Sequence, residues 1–216
     1  MQQIDGNTQG RLVSISLRAL FVSLLLSLGA CSLLQTHSVQ TEPGIYYDWP
    51  SISKALLEQS SWRLMGKVGI RTPEESVTAA IHNWTQVDDI YKIELSSTFF
   101  GIGASSISGN AYLIELIQSG EEPIISDQPN LLIEEALGIP LPVTFLPYWI
   151  KALPVPETVY ETTLNEQGLP ASMTQLGWQI EFSKYSLIDT LPLPGKIKLR
   201  SEHSSITLAI KEWSLL

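Results

Sequence analysis

Trp62-Arg63-Leu64-Met65-Gly66-Lys67-Val68-Gly69-Ile70-Arg71 is the stretch that decides the fold. Trp62, Leu64, Gly66, Val68 and Ile70 fall on one side of it, and Arg63, Met65, Lys67 and Arg71 on the other. A period of two belongs to an extended chain whose successive side chains point to opposite faces, so the stretch predicts a half-buried strand. Thr72-Pro73-Glu74-Glu75 is then a turn by composition, and Ser76 to Gln86 is a β-branched and small-residue run containing Trp84. Val87-Asp88-Asp89 turns the chain again, and Tyr91, Ile93 and Leu95 alternate with Lys92, Glu94 and Ser96. Three such runs joined by short polar turns predict an antiparallel meander, because parallel neighbours need long crossovers.

The meander continues downstream, and a helix precedes it. Downstream, Ala104 to Ser108 and Ala111 to Gln118 read as strands, with Pro123 to Ile125 as a short edge piece. The tip before them, Phe99-Phe100-Gly101-Ile102-Gly103, carries three large apolar side chains where a polar hairpin end is expected. Residues of that kind are either tucked under the domain, the commoner fate, or exposed for contact. Asp127 and Pro129 open a helical interlude with Leu131, Leu132 and Leu137, closed by Gly138. Val143, Leu146, Trp149, Ile150 and Leu153 form a second helical stripe. Strands return at Tyr160 to Leu164, Leu169 to Leu176, Trp178 to Tyr185, Lys196 to Arg200 and Ser205 to Trp213. The expectation is a mainly β domain of about eleven strands, whose inserted helices must cover an apolar face. Upstream, Asp48-Trp49-Pro50 is a helix entry, with proline in the first turn, and Ile52, Ala55, Leu56 and Gln59 follow at helical spacing.

The N-terminal part has a different composition. Arg11 and Arg18 precede Leu20-Phe21-Val22-Ser23-Leu24-Leu25-Leu26-Ser27-Leu28, and Gly29-Ala30-Cys31 follows. A positive lead-in, a short apolar core and small residues at its end are the parts of a cleaved signal, and the core is too short to span a bilayer. Residues 1–30 are therefore expected to be a signal peptide, 31–47 a flexible tether, and 48–216 a single domain.

Composition narrows the function. The formal net charge of -9 argues against nucleic acid as a partner. One cysteine and three scattered histidines, His37, His82 and His203, offer no metal-ligand spacing. Glu74-Glu75, Glu121-Glu122 and Glu134-Glu135 are the nearest thing to paired carboxylates, but they lie in polar turns or on a helix and read as solvated faces. There is no nucleophile elbow and no phosphate-binding glycine loop, so nothing motivates an enzyme. The six tryptophans are many for the length, and each taken alone reads as core.

Several of these features occur together in a known order. Leu28-Gly29-Ala30-Cys31 resembles the lipobox of bacterial lipoproteins, in which the cysteine is acylated and becomes the new N-terminus. Ser32 in place of an aspartate then implies the outer membrane. Gly-x-x-Gly-Ile at Gly66 to Ile70, Trp84 with Gln86, Phe100-Gly101, Gly-Ile-Pro-Leu-Pro from Gly138, Tyr148-Trp149-Ile150, Gly177-Trp178, Leu193-Pro194 and a closing Trp213 follow in turn. This sequence of motifs resembles the LolB family of outer-membrane lipoprotein receptors across essentially the whole mature chain.

The resemblance implies an open, strongly curved antiparallel sheet, an incomplete barrel lidded by helices over an apolar cavity. It implies lipid attachment at Cys31, and a monomer that takes acylated lipoproteins from the periplasmic carrier LolA and inserts them into the inner leaflet of the outer membrane, without nucleotide, metal or other cofactor. Trp84, Trp149, Trp178 and Trp213 occupy the positions of family tryptophans and are candidates to line the cavity. Phe99, Phe100 and Ile102 correspond to the family's membrane-inserting loop, with Phe99-Phe100 where the family has proline and leucine. A lipid-anchored protein that handles another apolar ligand is the rival reading, and an anchored hydrolase the third.

Overall fold

The computed structural model describes residues 44–74, 76–96, 104–137 and 141–216. A helix, α1 (Trp49–Glu58), precedes the first strand, and the Asp48 side chain caps it by accepting from the Ser51 N–H at 3.3 Å. Pro50 sits in its first turn, where a missing donor costs nothing, and Leu56 is its buried residue.

The alternating stretch of the sequence forms β1 (Trp62–Arg71), with Trp62, Leu64, Val68 and Ile70 buried and Arg63, Lys67 and Arg71 exposed. It is followed by β2 (Ser76–Val87), β3 (Ile90–Leu95), β4 (Ser105–Gly109), β5 (Ile114–Gln118) and β6 (Ile124–Ser126). After a long connection come β7 (Tyr160–Leu164), β8 (Pro170–Gln175), β9 (Trp178–Ile188), β10 (Leu191–Arg200) and β11 (Ser205–Leu215). The strands make one antiparallel sheet in the order β6-β5-β4-β3-β2-β1-β11-β10-β9-β8-β7. Two meanders are thus joined where the first strand pairs with the last, from Trp62 opposite Leu215 to Arg71 opposite Ser205. Among the described residues β6 and β7 are edge strands that do not pair with each other, so the sheet stays open.

Because β6 and β7 lie at opposite edges, the chain between them must cross the sheet. That connection carries α2 (Pro129–Leu137), a 3-10 turn at Val143–Phe145, and the short helix α3 (Leu146–Trp149). Its apolar side chains, among them Ile133, Val143, Leu146, Trp149, Ile150 and Leu153, join the inward residues of the strands in one core. The crossing segment is therefore a lid over the apolar face. The opposite face is polar, with Glu181 bridging Arg200 and Lys198 across neighbouring strands.

Three local details depart from simple alternation. The stripe from Val143 to Leu153 is a 3-10 turn followed by four α-helical residues, rather than one helix. On β2, a register shift between Ile81 and Asn83 moves the inward set from Ala79 and Ile81 to Trp84 and Gln86. Strand β10 starts at Leu191 and includes Pro192 and Pro194. Those prolines are tolerated because β10 pairs with β11 only from Lys196 to Arg200, leaving one side of its first half free of ladder bonds.

Candidate functional site

Between the sheet and the lid lies a cavity of about 60 Å³, and every described residue lining it is apolar. The sheet contributes Val68 and Ile70 from β1, Ile81 and Trp84 from β2, and Ile93 and Leu95 from β3. The lid contributes Ile133 from α2, then Leu141, Val143 and Leu146. Alternation on the strands and the crossing path of the lid put these side chains face to face. Trp84 carries the one polar atom of interest here: its Nε1–H is buried without a hydrogen-bond partner. A cavity of this kind holds hydrocarbon rather than water, because water needs polar partners that these walls do not supply.

Polar bonds fasten the lid at its C-terminal half. Gln175, on β8 and 1% exposed, accepts from Trp149 Nε1 at 2.8 Å and from the Val155 N–H at 3.0 Å. Its amide donates to the Val155 carbonyl at 3.1 Å and to Thr158 Oγ1 at 2.6 Å. Lys151, also buried, donates from Nζ to the Leu56 carbonyl at 2.8 Å and the Gln59 carbonyl at 2.9 Å, tying the lid to the end of α1. Burial lowers its pKa to about 8, and no carboxylate of the described residues forms an ion pair with it. Toward α2, among the described residues, Asn130 Oδ1 accepts from the Thr144 N–H and hydroxyl, each at 3.3 Å.

The candidate tryptophans separate into different places. Trp84 lines the apolar cavity, whereas Trp149, Trp178 and Trp213 are not among its described lining residues. Trp149 packs against Trp178 with ring centroids 6.4 Å apart and planes tilted by 50°, and uses its N–H on Gln175. Trp213 lies edge-on to Trp62 at 5.5 Å and donates to the Pro194 carbonyl at 3.1 Å. Trp62 bridges to Trp84 at 5.7 Å, so one aromatic row runs from Trp213 to the cavity wall. Phe99, Phe100, Ile102 and Cys31 lie outside the described residues.

Sequence reasoning missed Lys151 and Gln175 as interior polar groups, whereas Tyr91 lies inward with Ile93 and Leu95 as the alternation predicts. Burial raises the Tyr91 hydroxyl to about 12, and the Tyr185 hydroxyl upward as well, the latter while it donates to the Pro170 carbonyl at 2.8 Å. Gln86 was noted beside Trp84, and the signal for its position is that spacing, since residues two apart on a strand share a face. Among the described residues no helix is long and apolar enough to cross a membrane, and no group of three side chains is arranged to hold a metal.

Comparison with known proteins gives consistent matches. The family profile described as outer membrane lipoprotein LolB matches residues 60–213. The chain is 34% identical over 194 residues to the outer-membrane lipoprotein LolB of Pseudomonas aeruginosa, covering 90% of this chain and 94% of that protein. It is 36% identical over 169 residues to the protein of the same name from Chromohalobacter salexigens, covering 78% of each. Among solved structures, a LolA superfamily protein from Nitrosomonas europaea aligns with TM-score 0.48 and 9% identity over 76% of this chain and 93% of that one.

Proposed function

This chain belongs to the family of outer membrane lipoprotein LolB, and from that premise we propose that it receives acylated lipoproteins from a soluble carrier, LolA, and passes them into the inner leaflet of the outer membrane. The observation that carries the reading is the cavity between sheet and lid, apolar at every described lining residue. Acyl chains in water cost roughly 0.8 kcal/mol per exposed methylene, so a protein that handles them must offer a surface of this character.

The volume favours a mechanism with movement. Small-molecule pockets run from about 300 to 1,000 Å³, and a space of about 60 Å³ is too small for an acyl chain without movement. Cargo enters by displacing the lid. Ile133, Val143 and Leu146 leave the sheet as methylenes arrive, so apolar contacts are exchanged rather than lost. The exchange needs no nucleotide and no catalytic step, and it runs downhill if affinity rises from carrier to receptor to bilayer.

Two outlying parts complete the proposal. Cys31 is the lipid attachment point that keeps the domain at the outer membrane, with residues 1–30 removed as the signal and 31–47 as tether. The Phe99-Phe100-Gly101-Ile102 tip enters lipid and delivers the cargo, and the acidic balance of the chain guides docking to a basic rim on the carrier. Trp84 is the tryptophan whose place in the cavity wall favours contact with acyl chains.

A photoreactive residue at Leu146 in the intact, anchored protein is the direct test. Crosslinks to the acylated N-termini of lipoproteins in living cells are expected from that site, and none from the exposed Thr174 on β8. Crosslinks from Leu146 to phospholipid alone would instead favour the rival, an anchored protein for another apolar ligand. Adducts equally frequent at both sites would remove the cavity from the mechanism.

A further inference from the structure

The net charge of -9 conceals a segregation of charge. From residue 93 to residue 183, the stretch that holds both sheet edges and the lid, the only cation is Lys151, and it is buried. Carboxylates gather near the two edges, with Glu121, Glu122 and Asp127 around β6 and Glu157, Glu161 and Glu166 around β7. Cations gather instead on the outer face of the central strands. Strand β11 runs between β1 and β10, and the register aligns their outward residues in rows. Arg71 and Arg200 flank Ser205, Gly69 and Lys198 flank Thr207, and Lys67 and Lys196 flank Ala209. These positions alternate with the buried Val68, Ile70, Ile197, Leu199, Ile206 and Leu208, so they face away from the core.

Neighbouring strands lie about 4.8 Å apart, which sets the flanking residues of a row roughly 10 Å from each other and successive rows about 7 Å apart. Those spacings are close to the screening length of about 8 Å at physiological ionic strength, so the fields of these cations add. Glu181 on β9 adjoins the rows and is paired with Arg200 and Lys198. Lys67, Arg71 and Lys196 form no ion pair among the described residues. Glu74 and Glu202 follow in the exposed turns beyond Arg71 and Arg200. Between the cations the floor is made of Gly69, Ser205, Thr207 and Ala209. Gly69 is not imposed by space, since an added Cβ would stand 3.7 Å from Thr78 Oγ1, an ordinary contact. A glycine inside a strand weakens it, and keeping one here leaves the surface low enough for a bulky anion to approach the backbone.

We propose that this face is a docking surface for the anionic headgroups of a membrane leaflet. The proposal rests on the reading that the domain works tethered to a membrane, but not on what it carries. Phosphate oxygens accept from Lys67, Arg71 and Lys196, and the Ser205 and Thr207 hydroxyls between them are further donors. Position favours a bilayer over a protein or a nucleic acid. Arg71 and Arg200 stand at the end of the sheet where β3 passes into β4, the connection that the proposed delivery step puts into lipid. A domain leaning on its basic face brings that end to the bilayer and turns the acidic edges away from it, toward a soluble carrier.

The test measures how the anchored protein stands on its membrane. The full chain on vesicles carries a fluorophore at Gln179→Cys, an exposed position on β9 that pairs with Arg200 and lies outside the cationic rows. A second protein carries it at Tyr112→Cys, exposed in the turn between β4 and β5 at the other end of the sheet. Energy transfer to a headgroup-labelled lipid is compared on vesicles of phosphatidylcholine and of phosphatidylcholine mixed with phosphatidylglycerol. Each lysine or arginine near an anionic leaflet shifts occupancy by about fivefold. Transfer from position 179 should therefore rise by about twofold or more with phosphatidylglycerol, and fall back in about 1 M salt, where the screening length is about 3 Å. In Lys67→Gln with Lys196→Gln it should stay at the phosphatidylcholine level, with the melting temperature unchanged because neither lysine is ion-paired among the described residues. Transfer from position 112 should not rise. Equal transfer from position 179 on the two kinds of vesicle overturns the docking face. So does an increase that survives salt or the double substitution, or one that is as large at position 112. The readout needs no cargo, so its failure leaves the acyl cavity to be judged by the Leu146 crosslinks.

Discussion

Replacing Gln175 with leucine tests whether the lid is held at one end by a single side chain. Leucine keeps the approximate size and removes all four hydrogen bonds that Gln175 makes to Trp149, Val155 and Thr158. Trp149 is 0% exposed and Val155 7%. Two groups are then stranded, the Trp149 N–H and the Val155 N–H, since the Val155 carbonyl keeps the Thr158 hydroxyl at 3.0 Å. Each such group costs about 1–3 kcal/mol. The turn after Val155 is exposed and can relax, which puts the total near the low end, about 2 kcal/mol. With a urea dependence of about 2 kcal/mol per molar, the unfolding midpoint should fall by about 1 M. Hydrogen exchange adds the spatial half of the test: protection should be lost from Trp149 to Thr158 and kept in α2. A loss below about 1 kcal/mol at unchanged slope would refute the assignment, as would exchange that quickens equally along the whole lid.

The remaining predictions probe charge, backbone packing and delivery. Lys151 titrates at about 8 in the fold against 10.5 when unfolded, so between those values the unfolded chain binds more protons and stability rises with pH, by up to about 1.4 kcal/mol per unit. Tyr91 and Tyr185, both raised by burial, keep their protons in the fold while the unfolded chain loses them above 10.0, so stability should fall again beyond that point. Denaturation across this range should show a maximum near pH 10, and Lys151→Met should abolish the rising limb. Gly66→Ala should lower stability by about 2 kcal/mol, because a Cβ there would stand 2.3 Å from the Ala209 carbonyl oxygen, whereas Gly69→Ala, with its nearest atom at 3.7 Å, should change the melting point little. Phe100→Glu should leave folding and cargo acceptance intact and impair transfer into liposomes; normal transfer would remove the tip from the mechanism.

How much of this was legible in the sequence depends on how regular the local rule was. Trp62 to Arg71 could be read because one face is buried and the other wet for ten residues. Gly177 could be read as a hairpin turn, since Leu176 and Gly177 both take positive φ between paired Gln175 and Trp178. The β2 face could not be followed past Ile81, because the register shift there inserts a residue, and no composition marks it. Strand β10 was read only from Lys196, since Pro192 and Pro194 argue against a central strand and only the pairing pattern shows that they sit beside a free edge. Gln175 and Lys151 were invisible for a general reason: a polar residue among apolar ones reads as outward, and its burial is set by partners twenty or more positions away.

The small cavity and the lopsided fastening of the lid belong to one energetic arrangement. A groove held permanently open would expose Ile133, Val143, Leu146 and the facing strand residues to water, at about 25 cal/mol for each square ångström, and would take up any lipid it met. Closing the groove with the protein's own side chains removes that cost and lowers apparent affinity by the fraction of molecules that are open. For a receptor that must give its cargo up, this reduction is useful, because a returning lid competes with the acyl chain for the same wall of the sheet. The competition works only if the lid comes back to the same place. Gln175 and Lys151 hold the half after Leu146, while the α2 half is joined by the weaker Asn130–Thr144 contacts. If the lid opens to admit cargo, its α2 end is the one that these bonds leave freer to move.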